Sequence, residues 1–154
     1  MFDLLGWLTD LIRRVWLAAM QRPDVRCDIR FTPQARWTPD WWHDDKGKDL
    51  ASGIQFEISI NFLLANHGPV NTSLQNLYIE LTYHRNRHAK LASGLLVQEI
   101  EIAPRRSWGP KSVSFSGSIW NIDKPPQDMK FQLIVEPLGQ RPVRKSIYPL
   151  FDLI

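Results

Sequence analysis

A single cysteine, Cys27, stands in 154 residues, so no disulfide can close within the chain. Small secreted domains commonly rely on such staples, and doing without one points to a reducing compartment, the cytoplasm. Long apolar runs are missing too. A spanning helix needs about 20 mostly apolar residues, and the apolar stretch near the start is broken by Asp10, Arg13 and Arg14. A cleaved leader would place its bases first and its apolar run afterwards, the reverse of what is found. Charge of one sign is not in large excess. The net charge is +3 with 23% of residues charged, which argues against a dedicated nucleic-acid binder. There is no solenoid-type repeat and no low-complexity segment.

Signatures of catalysis are also absent. His43, His67, His84 and His88 fall in expected loops, and no serine sits in a Gly-x-Ser-x-Gly elbow. No glycine-rich loop suits a phosphate, and no carboxylate pair has catalytic spacing. Cys27 takes an inward position on an expected strand, where a thiol behaves as an inert core group. The expectation is a protein that is not an enzyme and carries no cofactor or metal.

What is present begins with residues 1–22. Stepping 100° per residue gathers Leu4, Leu5, Leu8, Leu11, Ile12, Val15, Trp16 and Ala19 on one face, and Asp3, Gly6, Asp10, Arg13 and Arg14 on the other. That is the period of an amphipathic helix, which Pro23 ends. Three covers for its apolar face are open: the helix packs on its own domain, lies in a membrane interface, or pairs with a protein partner or a second copy. Leu4, Leu8, Leu11, Ile12, Val15 and Trp16 are the expected contact residues, and Trp7, Trp16 and the arginines suit a membrane surface.

Over 23–154 the period becomes two. Strands are expected over Val25–Phe31, Ile54–Leu64, Leu77–Tyr83, Leu95–Ile102, Val113–Ile119, Phe131–Val135 and Val143–Tyr148. About seven short strands with turn signals between them predict a mainly β, antiparallel immunoglobulin-like β-sandwich behind one amphipathic α-helix. The run ISINFLLANHGPVNTSLQNLYIEL, from Ile58 to Leu81, and the later IAPRRSWGPKSVSFSG, from Ile102 to Gly117, resemble bacterial immunoglobulin-like domains of the cell-adhesion-related (CARDB-like) kind. The resemblance spans about half the chain. It implies a binding or spacer module and transfers no functional residues.

Two surface features remain. The loop expected over Ala35–Lys48 carries Trp37, Trp41 and Trp42, which either cap the open end of the core or form a recognition loop. His43 with Asp44 and Asp45 would be a poor metal site, because adjacent loop side chains seldom converge on one ion. The stretch His84–Lys90 holds Arg85, Arg87 and Lys90 with no acid. It reads as an exposed hairpin tip or as an anion contact, which Arg141, Arg144 and Lys145 would enlarge if the last strand lay nearby. Together these features predict a non-enzymatic binding or adaptor module attached through its helix to a membrane surface or a partner. A homo-oligomeric structural subunit is the alternative, and nucleic-acid binding through the tip is a weaker one.

Overall fold

The strand β3, Asp49–Asn66, is the spine of the molecule. Its alternation places Ile54, Phe56, Ile58, Ile60, Phe62 and Leu64 on one face, and all six are fully buried. The structure, a computed structural model, describes residues 3–43, 46–47 and 49–152, with the side chains of 19, 42, 43 and 49–51 outside that description. Within it the chain is mainly β, with one α-helix, α1 (Leu4–Met20).

One edge of β3 pairs antiparallel with two collinear strands. β1 (Val25–Ile29) takes the stretch 62–66 and β2 (Gln34–His43) the stretch 49–59. The other edge pairs along its length with β7 (Ser107–Trp120). The remaining strands are β4 (Thr72–Tyr83), β5 (Arg87–Ser93), the two-residue β6 (Glu101–Ile102), β8 (Lys130–Pro137), β9 (Val143–Ile147) and β10 (Leu150–Phe151). The sheet order is β10-β2-β3-β7-β5-β4-β8-β9, with β1 on β3 and β6 on β4.

This single hydrogen-bonded sheet curls so that its two halves face each other. The halves join where β7 meets β5 through only Ala92 with Ser116 and Ser93 with Phe115. Gly117 makes that crossing possible. A Cβ there would lie 2.7 Å from the Lys90 carbonyl oxygen and 2.8 Å from Leu91. The curl is filled by aromatic rings from three strands: the centroids of Phe56 and Phe131 are 6.2 Å apart, of Phe56 and Phe151 6.3 Å, and of Phe131 and Phe151 6.1 Å. Such edge-on and tilted pairs add to the gain from burial. Where the sheet's ends meet, Gln140 clamps β1: its Oε1 accepts from Val25 N at 2.7 Å and its Nε2 donates to Val25 O at 3.0 Å.

Six expected strands coincide with β1, β3, β4, β7, β8 and β9, and the count of seven rises to ten. Phe31, expected inward, lies beyond the end of β1 and is 71% exposed. The strand expected over Leu95–Ile102 is replaced by a bend, a 3₁₀ turn at Val97–Glu99 and the short β6. The strand β5, Arg87–Ser93, lies just before that stretch and is not among those expected. The Trp-rich loop is also corrected: Gln34–His43 is the strand β2, paired with β3 throughout.

Among the described residues β2 has no neighbour on its outer side beyond Ala35, where the pairing with β10 at Gln34 and Ala35 ends. The bonds from Leu150 N to Pro33 O and from Asp152 N to Ala35 O show that odd-numbered residues turn their backbone groups to that side. Pro39 therefore offers no donor there, and the Trp41 N–H is taken by Asp40 Oδ1 at 3.0 Å.

Replacing a strand glycine by alanine ordinarily stabilises a sheet by several tenths of a kcal/mol. Gly117→Ala is expected to do the opposite, costing about 1–3 kcal/mol in urea unfolding, because the methyl enters the β5–β7 crossing. A neutral or stabilising result would mean that the crossing is loose.

Candidate functional site

The helix α1 is begun by Asp3, whose Oδ1 accepts from Gly6 N at 3.1 Å, as an N-cap does. Its last turn closes with Gln21 N donating to Leu17 O at 2.9 Å before Pro23 interrupts. Seventeen residues make a rod about 25 Å long. Every described side chain on it is exposed, including Leu4, Leu8, Leu11, Ile12, Val15 and Trp16. Leu5 is 77% exposed and Trp16 62%. Packing of the helix on its own domain, one of the three expected covers, is not what the structure adopts. The polar side holds Asp3 and Asp10 against Arg13 and Arg14, so its charges cancel.

The helix projects freely, yet its root is fixed. Asn66, 1% exposed at the end of β3, ties three other stretches of chain to that strand. Its Oδ1 accepts from Asp24 N at 3.2 Å and Gly68 N at 3.0 Å, and its Nδ2 donates to Val70 O at 2.8 Å and Ile102 O at 3.1 Å. Its backbone N–H donates to Arg106 O, and its carbonyl accepts from Arg105 N. His67 N donates to Asp24 O at 2.8 Å. Gly68 is required by the same crossing, since a Cβ would stand 2.5 Å from Arg22 O and 2.6 Å from Asp24 N. The linker Arg22–Asp24 is thus bonded to the domain up to the point where the helix leaves it.

The opposite end of the sheet carries the other expected features. Trp37 is half-buried against the core, as the capping alternative requires, whereas Trp41 is 52% exposed. The Trp42 and His43 side chains, and all of Asp44 and Asp45, fall outside the described residues, as does any metal site built on them. The tip is a tight turn between β4 and β5, with His84 and Arg85 at φ 47° and 70°. Asp128 pins it: its carboxylate accepts from Arg85 N at 3.0 Å and His84 N at 3.2 Å. These donors, Arg85 foremost, hold the Asp128 carboxyl below the usual carboxylate range.

The basic residues of the tip do not converge. Arg85 and Arg87 are exposed, while Lys90 lies 4.7 Å above the Tyr78 ring on the sheet's outer face. Arg144 reaches Glu80 at 3.8 Å. Arg141 lies in the β8–β9 turn at the helix end, so it cannot enlarge a patch at the tip.

Among the described residues, no group of three His, Cys, Asp or Glu side chains could hold a metal ion. No described helix is long and apolar enough to cross a membrane. Burial pushes the Cys27 thiol up to about 12, opposed only in part by Lys145, so it stays protonated at neutral pH. The signal that sequence reading passed over is Asn66 itself, visible only as part of the Asn66-His67-Gly68-Pro69 turn cluster.

No protein-family model matches this chain, and no curated protein matches it. Among solved structures it is similar to the archaeal flagellum of Methanospirillum hungatei strain JF1, at 15% identity over 97% of this chain and 79% of that one, with a TM-score of 0.47. It is also similar to the putative ApaA protein from Bordetella pertussis, at 13% identity over 83% and 91% of the two chains, with a TM-score of 0.36. Both scores are low, and neither likeness bears on function.

Asn66→Ala would leave two donors and two acceptors, buried or partly buried, without their partner, and is expected to cost about 2–4 kcal/mol in urea unfolding. A loss under about 0.5 kcal/mol would show that water replaces the side chain. For Asp128 the folded pKa is the lowered one. Its contribution is therefore complete above the ordinary carboxylate range and is lost as pH falls through the folded value. The stability gap between the wild type and Asp128→Ala should be flat near neutrality and shrink in acid, below about pH 4. A gap independent of pH would remove the carboxylate from the account.

Proposed function

We propose that the chain is a non-enzymatic attachment module: an immunoglobulin-like sandwich, formed by the facing halves of the curled sheet, held to an apolar surface through α1. A cytoplasmic protein of this kind would be peripheral to a membrane or to a larger partner. Its opposite end, with Trp41 and the His84–Arg85 turn, would remain free for recognition.

One observation carries this reading: every described side chain of α1's apolar face is exposed while the helix root is bonded to the domain. Fully burying one Leu or Val side chain is worth about 1.5–3 kcal/mol. A helix that contributes none of this to its own core has it available for an external contact. The exposed Tyr148 and the groove beside it, lined by Met129, Phe131 and Phe151, give the far end a second surface of mixed character.

Self-association is the second reading, and the helix itself favours it. Leu4, Leu8, Leu11 and Val15 recur at alternating spacings of four and three, the seam of paired helices. A nucleic-acid role for the tip has less support, since Lys90 is engaged with Tyr78 and no Phe, Tyr or Trp stands between Arg85 and Arg87.

Leu11→Glu combined with Val15→Glu is the direct test. The double variant is expected to lose attachment by more than about tenfold, read as vesicle flotation or as sedimentation of an oligomer. Its thermal unfolding midpoint should stay with the wild type, because neither residue touches the core. A large drop in the midpoint, or unchanged attachment, would end the proposal.

A further inference from the structure

The end of the sheet from which α1 departs gathers positive charge from three separate stretches of chain. Arg22, Arg105, Arg106 and Arg141 are all exposed there. None forms an ion pair among the described residues, in contrast to Arg26, Arg30, Arg36 and Arg144. Their closeness follows from the Asn66 junction. Arg105 and Arg106 bond to Asn66 through their backbones, and the Arg22 carbonyl lies against Gly68. Arg22 and Arg141 line one groove with Gly139 and Gln140. Neither acid near this end is paired with these arginines: Asp24 pairs with Arg26 at 3.1 Å, and Glu101 accepts from Asn71 at 2.8 Å.

Two unmet demands therefore meet at one place. The helix needs an apolar medium for one face, and the collar at its root needs anions. A second copy of the chain would answer the first, but bringing two such collars together in parallel would oppose like charges. A bilayer surface with anionic headgroups answers both. Guanidinium groups bind phosphate oxygens through two parallel hydrogen bonds, so arginine suits this task better than a point charge. On the helical wheel Trp7 and Trp16 fall at opposite borders of the apolar arc, where a membrane's polar boundary would cut the rod. Because the helix's own charges cancel, preference for anionic lipid must come from the collar.

We infer that the surface engaged by α1 is a membrane carrying anionic headgroups, and that Arg22, Arg105, Arg106 and Arg141 are the headgroup contacts. This rests on the attachment role proposed for the helix and adds the chemistry of what it meets.

The full-length chain should be tested by flotation with vesicles of phosphatidylcholine alone and of phosphatidylcholine with an equal share of phosphatidylglycerol. Binding to the anionic vesicles is expected to be tighter by at least about tenfold, and to weaken as salt is raised. Arg105→Gln with Arg106→Gln should remove about tenfold of that preference, since each base near a charged surface contributes up to about fivefold. The matched pair Arg85→Gln with Arg87→Gln, at the opposite end, should leave it unchanged. Equal binding to both vesicles, or an equal loss from the two pairs, would overturn the collar and leave the helix role standing. Binding to neither vesicle would also overturn it. Sedimentation then judges the helix: association abolished by Leu11→Glu with Val15→Glu sustains the attachment role, and a monomer at all concentrations ends both.

Discussion

The carboxamide of Asn66 is the constraint on which the arrangement of the ends depends. A buried amide must satisfy two donors and two lone pairs or forfeit much of its burial. Here all four are met by backbone groups from separate stretches: the helix linker, the turn after β3, and the approach to β7. No apolar residue of similar size could hold these strands together, because their polar backbone groups would then be buried unpaired. The same junction decides where the helix leaves and which arginines surround the point of departure. One polar side chain thus couples the fold to the surface it presents.

The molecule has a direction. β3, β4, β7 and β8 run between an end holding the helix root and an end holding the Trp-rich hairpin and the His84–Arg85 turn. Among the described residues the buried side chains of the core are hydrophobic apart from Asn66 and Thr72, both near the root. The curled sheet lies between the two ends and holds them apart.

Much of this was legible in the chain before any coordinates. The helix and six strands were marked by clear periods, because residues such as Ile54 to Leu64 meet the core on one face and water on the other. β2 was misread as a loop, since tryptophan, proline and aspartate at 37–42 mimic turn chemistry while the pairing comes from the neighbouring β3. β5 was missed because RHAKLAS buries only Leu91, leaving no alternation to detect. The stretch after it, richer in Leu and Val, drew the strand assignment instead and folds as a bend and a 3₁₀ turn. The basic candidate was placed at the tip because Arg85, Arg87 and Lys90 are close in sequence. The arginine collar is close only in space, through bonds that a linear reading does not contain. The exposure of α1 was equally beyond reach, as the period shows which face is apolar and not what covers it.

The guarded edge of β2 restricts how the far end can be approached. An incoming extended peptide seeks a row of alternating donors and acceptors on an unpaired strand. Pro39 has no hydrogen to give, and Asp40 has already claimed the one on Trp41. The protruding hairpin is therefore a poor template for sheet extension, whether by a ligand or by a neighbouring copy in a crowded solution. Any contact made at that end falls to side-chain surfaces, the exposed Trp41 among them. Crosswise stacking of such modules into fibres is discouraged by the same two residues.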